Sequence, residues 1–183
     1  MAYEIVIAGV GGQGVVFMSK ILAKASEGEV KLIANKGHAK REGSVTVHLK
    51  IGRAYSPIIN PGDADMVVGL EPLEVLRNAH LAKENAYFLV EKKKVIPVSC
   101  SLGETEYPQD VEEKIKRFSD KVYFVRAFDE DYPRNFNIVM LGVMASVPGF
   151  PVPADRIRAE LEKAGRGLGR HFDKGIEIMK GML

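Results

Sequence analysis

Tyr3-Glu4-Ile5-Val6-Ile7-Ala8-Gly9-Val10-Gly11-Gly12-Gln13-Gly14-Val15-Val16 is the stretch whose reading decides the fold. Ile5 to Ala8 form a short apolar run bounded by a glycine, as in a strand buried on both faces. Glycine then punctuates the chain at Gly9, Gly11, Gly12 and Gly14, and a helical period begins at Val15. Strand, glycine turn, helix is the first half of a βαβ unit, and the turn reads G-x-G-x-x-G through Gly9, Gly11 and Gly14. Without a Cβ the backbone turns tightly, approaches a ligand closely and lets the helix sit near its strand. The helix starts with unpaired N–H groups and a partial positive charge, which suits a phosphate. The same glycines also serve a purely structural βα turn, so both readings stand at this level.

A dinucleotide site needs one more group, an acid at the end of the second strand that binds the ribose hydroxyls. The second strand candidate here is Val30 to Ala34, followed by Asn35, Lys36 and Gly37; Glu27 and Glu29 precede it. A nicotinamide dehydrogenase is therefore disfavoured.

With 183 residues and 46% hydrophobic content, residues 1–183 are expected to form a single domain around one good core. A net charge of +2 argues for neither a nucleic-acid partner nor a membrane surface. Cys100 is the one cysteine, so this chain alone builds no internal disulfide and no cysteine-held iron–sulfur cluster. No apolar stretch has the length of a membrane span, and the first residues read as a strand rather than a signal peptide. The expected location is the cytoplasm.

Along the chain, a first helix is expected over about residues 13–26. The polar, basic stretch from Asn35 to Ser44 reads as a loop of functional length. An alternating strand follows, with Val45, Val47, Leu49 and Ile51 on one face and Thr46, His48 and Lys50 on the other. After the turn-rich Ser56 to Gly62 come a buried strand from Asp65 to Leu70 and a helix entered at Glu71-Pro72, where proline costs little. Glu74 reads as a carboxylate that complements the helix dipole, whereas Glu71 stands where α/β sheets bind ligands. Two strands, Ala86 to Val90 and Val95 to Val98, are expected on either side of a charged, hairpin-like Glu91-Lys92-Lys93-Lys94. A helix from Pro108 to Phe118, a strand from Val122 to Val125, a buried helix from Asn135 to Met144 and two C-terminal helices complete the pattern. Gly165, Gly167 and Gly169 lack a preceding strand and read as an interhelix turn. The fold class is α/β: a three-layer α/β/α arrangement on a mixed, mostly parallel sheet, with a Rossmann-like first βα unit.

No set of catalytic groups is evident. Cys100 has no base beside it in sequence, the four histidines show no metal-ligand spacing, and the P-loop Gly-Lys-Ser/Thr signature is missing. An anion-receptive turn without catalytic residues is the profile of a subunit or a binding domain.

Several motifs together are specific. Gly9-Val10-Gly11-Gly12-Gln13-Gly14, Arg41 with Gly43-Ser44-Val45, Ser56-Pro57-Ile58, Ala64-Asp65 and Gly69-Leu70-Glu71-Pro72-Leu73-Glu74 resemble the gamma-type domain of the 2-oxoacid:ferredoxin oxidoreductases, and the likeness spans nearly the whole chain. Tyr107-Pro108 before the following helix is similar to the small subunit of the indolepyruvate enzymes of that family. The family usually has Arg-Gly-Gly in the basic loop; Arg41-Glu42-Gly43 here adds a carboxylate and removes one flexible position.

The resemblance implies a subunit of a complex that oxidatively decarboxylates a 2-oxoacid to an acyl-CoA and passes electrons to ferredoxin. It implies that thiamine diphosphate, iron–sulfur clusters and coenzyme A belong to the assembled complex, with no cofactor bound by this chain alone. The partners implied are thiamine-diphosphate-binding and ferredoxin-type subunits, and ferredoxin itself. Residues expected to bind a cofactor or line the cleft are Gly9, Gly11, Gly12, Gln13, Gly14, Arg41, Gly43, Ser44 and Glu71. A free-standing Rossmann-type nucleotide-binding protein is the alternative.

Overall fold

The central strand of the sheet is β1 (Tyr3–Val10), in which Ile5, Val6, Ile7 and Ala8 are wholly buried. A computed structural model describes residues 2–37, 43–127 and 135–183. In it, α1 (Val15–Ala25) follows β1, then β2 (Val30–Lys36), β3 (Ser44–Ile51), β4 (Ala64–Gly69), α2 (Pro72–Asn78) and β5 (Ala82–Glu91). The one-turn α3 (Val98–Ser101), α4 (Val111–Lys116), β6 (Val122–Val125), α5 (Phe136–Ala145), α6 (Ala154–Ala164) and α7 (Leu168–Lys180) complete the order.

The six strands form one sheet in the order β2-β3-β1-β4-β5-β6. The pairs β1/β4, β4/β5 and β5/β6 are parallel, while β1/β3 and β2/β3 are antiparallel. The sheet is thus mixed and mostly parallel, but its antiparallel part lies at β2-β3-β1. The hairpin expected across Glu91-Lys94 does not form. Beside β5 the ladder is taken by β6 in parallel, and after Lys92 N–H donates to Val125 O at 2.9 Å the chain leaves the sheet. Val95 to Val98 therefore find the edge of β5 already taken, and Pro97 has no N–H to offer.

Side-chain alternation along the strands builds two cores. Ile5, Ile7, Met66, Val68 and Leu89 point to the side of α1, α5, α6 and α7; Val6, Val67, Phe88 and Val90 point to α2 and α4. Helices lie on both faces, giving the three layers. The helix expected from Pro108 to Phe118 is shorter, with Val111 and Ile115 buried and Phe118 left 42% exposed against Phe88.

The two faces of β3 divide as the alternation predicts, and both are covered. His48 and Lys50, on the polar side of the alternating β3, are buried, because the segment after β3 folds back over that side. Ile59 is buried there and its N–H donates to His48 Nδ1 at 3.0 Å. Lys50 Nζ meets Glu4 Oε1 at 2.8 Å, directly across the β1/β3 register. A turn sequence farther along the chain supplies the cover, so strand alternation alone carries no sign of it.

The closest helix contact is that of α5 with α7. Gly142 and Gly175 face each other, and a Cβ on either would collide with the other helix's backbone, at Phe172 O and Val139 O respectively. α5 is buried from Ile138 to Met144, as its apolar sequence predicts.

Two outcomes follow from this packing. Gly175→Ala is expected to destabilise the chain by about 3 kcal/mol in urea unfolding, the upper part of the overpacking range, since the obstacle is backbone. Gly28→Ala, at φ +78° but with open space around it, should cost only about 1–2 kcal/mol of left-handed strain. For His48, burial first and then the Lys50 charge lower its pKa below the ordinary histidine value. The unfolded chain therefore takes up this proton before the folded one does, and stability falls as the pH drops below about 6.5. Melting temperatures across that range should fall more steeply for the native chain than for His48→Gln.

Candidate functional site

The C-terminal ends of β1 and β4 and the beginning of β3 meet at one edge of the sheet, because β1 pairs with β3 in opposite directions and with β4 in the same one. Glycine chemistry shapes that edge. At Gly9 a Cβ would stand 2.7 Å from Gln13 Oε1 and 2.9 Å from Val15 Cγ2, so the strand end and the helix start approach too closely for a side chain. Gly12 (φ +94°) and Gly14 (φ +88°) have the left-handed backbone that favours glycine. Gly14 is also the N-cap of α1, without a side-chain hydrogen bond, and a Cβ on it would collide with Asn137 at the start of α5. The first-turn N–H groups of α1 thus lack a side-chain cap, and Gly11 and Gly12 are exposed beside them.

Gln13 has a different task. Its Oε1 accepts from Val10 N–H at 2.6 Å and its Nε2 donates to Leu70 O at 2.9 Å, which staples the turn to the end of β4. Gly11 N–H donates to Gly43 O at 2.9 Å, tying the turn to the exit of the basic loop. Arg41 and Glu42 lie outside the described residues.

Ser44 Oγ donates to Glu74 Oε2 at 2.5 Å, and Arg77 Nη1 donates to Glu74 Oε1 at 2.5 Å. Glu74 therefore aligns a hydroxyl and a guanidinium across the sheet edge, in addition to its place in the first turn of α2. Glu71 is the N-cap of α2 and is 1% exposed. Its carboxylate accepts from Glu74 N–H at 2.9 Å and from Tyr107 Oη–H at 2.7 Å. Burial pushes the Glu71 carboxyl above its ordinary range, against the opposing pull of the Tyr107 and Glu74 donors, and burial together with the Glu71 contact pushes the Tyr107 phenol up as well. Two buried carboxylates are tolerated because each is satisfied by several donors.

These side chains surround a crevice of about 40 Å³ between Val10, Ser44, Glu71, Glu74, Arg77 and Pro97. That is room for roughly one or two waters, so the edge offers a surface rather than an enclosed ligand pocket. Its chemistry is that of binding: donors from a helix start and one oriented guanidinium. Cys100 Sγ lies 3.3 Å from Thr105 Oγ1, and that contact supplies no base. Among the described residues no group of three or more His, Cys, Asp and Glu side chains is arranged to hold a metal ion, and no helix is long and apolar enough to cross a membrane.

Of the residues singled out in the sequence, Gly9, Gly11, Gly12, Gln13, Gly14, Gly43, Ser44 and Glu71 converge at this edge. Sequence reading missed Val95, Asn137 and the pairing of Tyr107 with Glu71, which are remote in the chain and follow no period. The sheet order also separates this edge from a dinucleotide site. In that architecture the second strand lies beside the first, whereas β3 here stands between β1 and β2 and carries the end of β2 one place away.

Comparison with known proteins gives a family and a fold. Residues 4–180 match the family described as pyruvate ferredoxin/flavodoxin oxidoreductase. Indolepyruvate oxidoreductase subunit IorB of Archaeoglobus fulgidus is 30% identical over 172 residues, which cover 89% of this chain and 86% of that protein. The subunit of the same name from Pyrococcus horikoshii is 29% identical over 99% of this chain and 98% of its own. The gamma subunit of a keto/oxoacid ferredoxin oxidoreductase from Geobacter sulfurreducens has the same fold, with a TM-score of 0.70 at 20% identity over 98% of this chain and 99% of that one. The fold also recurs in 2-oxoglutarate:ferredoxin oxidoreductase from Magnetococcus marinus, solved with 2-oxoglutarate, coenzyme A and succinyl-CoA bound. There the TM-score is 0.70 at 17% identity, and this chain corresponds to 32% of the larger one.

Proposed function

The chain belongs to the pyruvate ferredoxin/flavodoxin oxidoreductase family, and from that premise we propose that it is the gamma-type subunit of a 2-oxoacid:ferredoxin oxidoreductase. The assembled complex oxidatively decarboxylates a 2-oxoacid, of the indolepyruvate, 2-oxoisovalerate, pyruvate or 2-oxoglutarate kind, to an acyl-CoA and delivers the electrons to ferredoxin. The observation that carries this reading is the family match along residues 4–180, joined to a described chain that presents a binding edge with no nucleophile–base pair. Residues 1–183 act as a single domain, in the cytoplasm.

Thiamine diphosphate, the iron–sulfur clusters and coenzyme A are held by the complex, and this chain alone binds none of them. One cysteine is too few for a four-cysteine cluster. The partners are the thiamine-diphosphate-binding and ferredoxin-type subunits, with no nucleic acid and no membrane involved. Gly9, Gly11, Gly12 and Gly14, with Arg41 and Gly43, form the side of the cleft turned to coenzyme A or to a partner subunit. Gln13, Ser44 and Glu71 hold that side in shape, which their hydrogen bonds favour.

Purified alone, the chain is expected to show no 2-oxoacid turnover; co-expressed with a thiamine-binding partner it should support 2-oxoacid-dependent reduction of ferredoxin or a viologen dye. Decarboxylation by the isolated chain would end this reading. Under the alternative, a free-standing nucleotide-binding protein, the chain would bind NAD, NADP or FAD by itself more tightly than roughly 100 μM, about 5.5 kcal/mol.

A second outcome isolates the turn. Gly12 (φ +94°) and Gly167 (φ +79°) are both left-handed. A methyl group on Gly12 would meet nothing within 4 Å, and one on Gly167 would come no closer than 3.8 Å, to Arg170 Nε. Alanine therefore strains both by a similar amount, about 1–2 kcal/mol. Gly12→Ala should nevertheless lower turnover of the complex at least roughly tenfold, about 1.4 kcal/mol of transition-state stabilisation, while Gly167→Ala leaves it nearly unchanged. Equal turnover in the two variants would reduce the turn to a packing feature.

A further inference from the structure

β2 ends the sheet beyond β3, and its outer edge carries no strand among the described residues. None of the residues from Val30 to Asn35 is buried, whereas each other described strand holds at least one buried residue. Two hydrogen bonds fix which way the β2 backbone points. Gly37 N–H donates to Ser44 O and Gly52 N–H to Glu29 O, both at 2.8 Å, one at each end of the β2/β3 register. Antiparallel bonding alternates, so Lys31, Ile33 and Asn35 turn N–H and C=O toward β3. Val30, Leu32, Ala34 and Lys36 turn theirs outward, and no hydrogen bond among the described residues takes them up. The strand keeps an unbroken register with β3 over its 7 residues, with neither proline nor bulge to protect the edge. Lysine commonly blunts such an edge, but Lys31 Nζ lies 3.2 Å from Glu29 Oε1.

We propose that this edge pairs with the same edge of a second copy of the chain, antiparallel about a twofold axis at Ile33, so that two sheets become one. This register engages Val30, Leu32, Ala34 and Lys36 together, while moving the axis to Leu32 or Ala34 leaves Lys36 or Val30 without a partner in the strand. It sets Val30 opposite Lys36, Lys31 opposite Asn35, Leu32 opposite Ala34 and Ile33 opposite Ile33, so no charged residue stands opposite a like one. Ile33, half-buried and in neither core, is thereby covered by its own counterpart. The pairing is a property of the chain alone and does not rest on the function proposed above.

Sedimentation equilibrium of the full chain should give a species of twice 20.1 kDa. Ile33→Lys places like charges face to face at the axis and should weaken the dimer at least roughly tenfold. Ile33→Glu should weaken it likewise, and mixing the two variants should restore it. Register is read by oxidative cross-linking in a Cys100→Ser background. Ile33→Cys should form a disulfide-linked dimer, because directly opposite residues lie within reach of a disulfide. Lys31→Cys, set opposite Asn35, should not. The proposal is overturned by a chain that stays monomeric, by a dimer indifferent to Ile33→Lys, by a mixture of the two charge variants that fails to dimerise, or by cross-linking at position 31 as fast as at 33.

Discussion

Everything at the candidate site depends on how β1 is paired. Among the described strands it is the one that bonds antiparallel on one side, to β3, and parallel on the other, to β4. Both of its faces are covered, with Ile5 to Ala8 inaccessible to solvent. A slip of one residue would carry Ile5 and Ile7 into the α2 side and Val6 into the α1 side, exchanging two differently shaped cores. The register is consequently held from both sides. It delivers Gly9 to Gly14, Ser44 and Leu70-Glu71 to the same edge, though they are far apart in sequence.

Polar groups then refine what apolar packing positions. Gln13 uses both ends of its amide on backbone, joining the turn to β4. Glu71 and Glu74 are buried carboxylates three residues apart, with the Glu74 N–H as one shared tie. Glu91, also buried, accepts from Ala127 N–H at 2.7 Å, fastening the end of β5 to the chain beyond β6. Removing a partner from such a group leaves its desolvation uncompensated, about 1–3 kcal/mol or more for a charge. These residues therefore make the C-terminal edge specific in shape, whereas the cores make it stable.

That division of labour suits a subunit. A domain that binds and positions needs an edge with a defined outline and exposed donors, and here the exposed Gly11 and Gly12 stand beside an uncapped helix start. Family membership agrees with it, since the relatives that match along nearly the whole chain are themselves named as subunits.

The sequence by itself determined the α/β class, the glycine turn, both C-terminal helices and the helix entry at Glu71-Pro72. Each of these rests on interactions within a few residues: apolar period, backbone freedom at glycine, and the dipole of a helix start. It also carried the family, through motifs that are specific only in combination. The tertiary structure alone decided that β3 lies between β1 and β2, and that Val95 to Val98 leave the sheet because β6 occupies the edge they would need. It decided likewise that His48 and Lys50 are interior, and that Tyr107 meets Glu71. The physical reason is common to all four: each depends on which distant segment fills a space or satisfies a polar group, and neither hydrophobic period nor local propensity encodes a partner that lies far away in the chain.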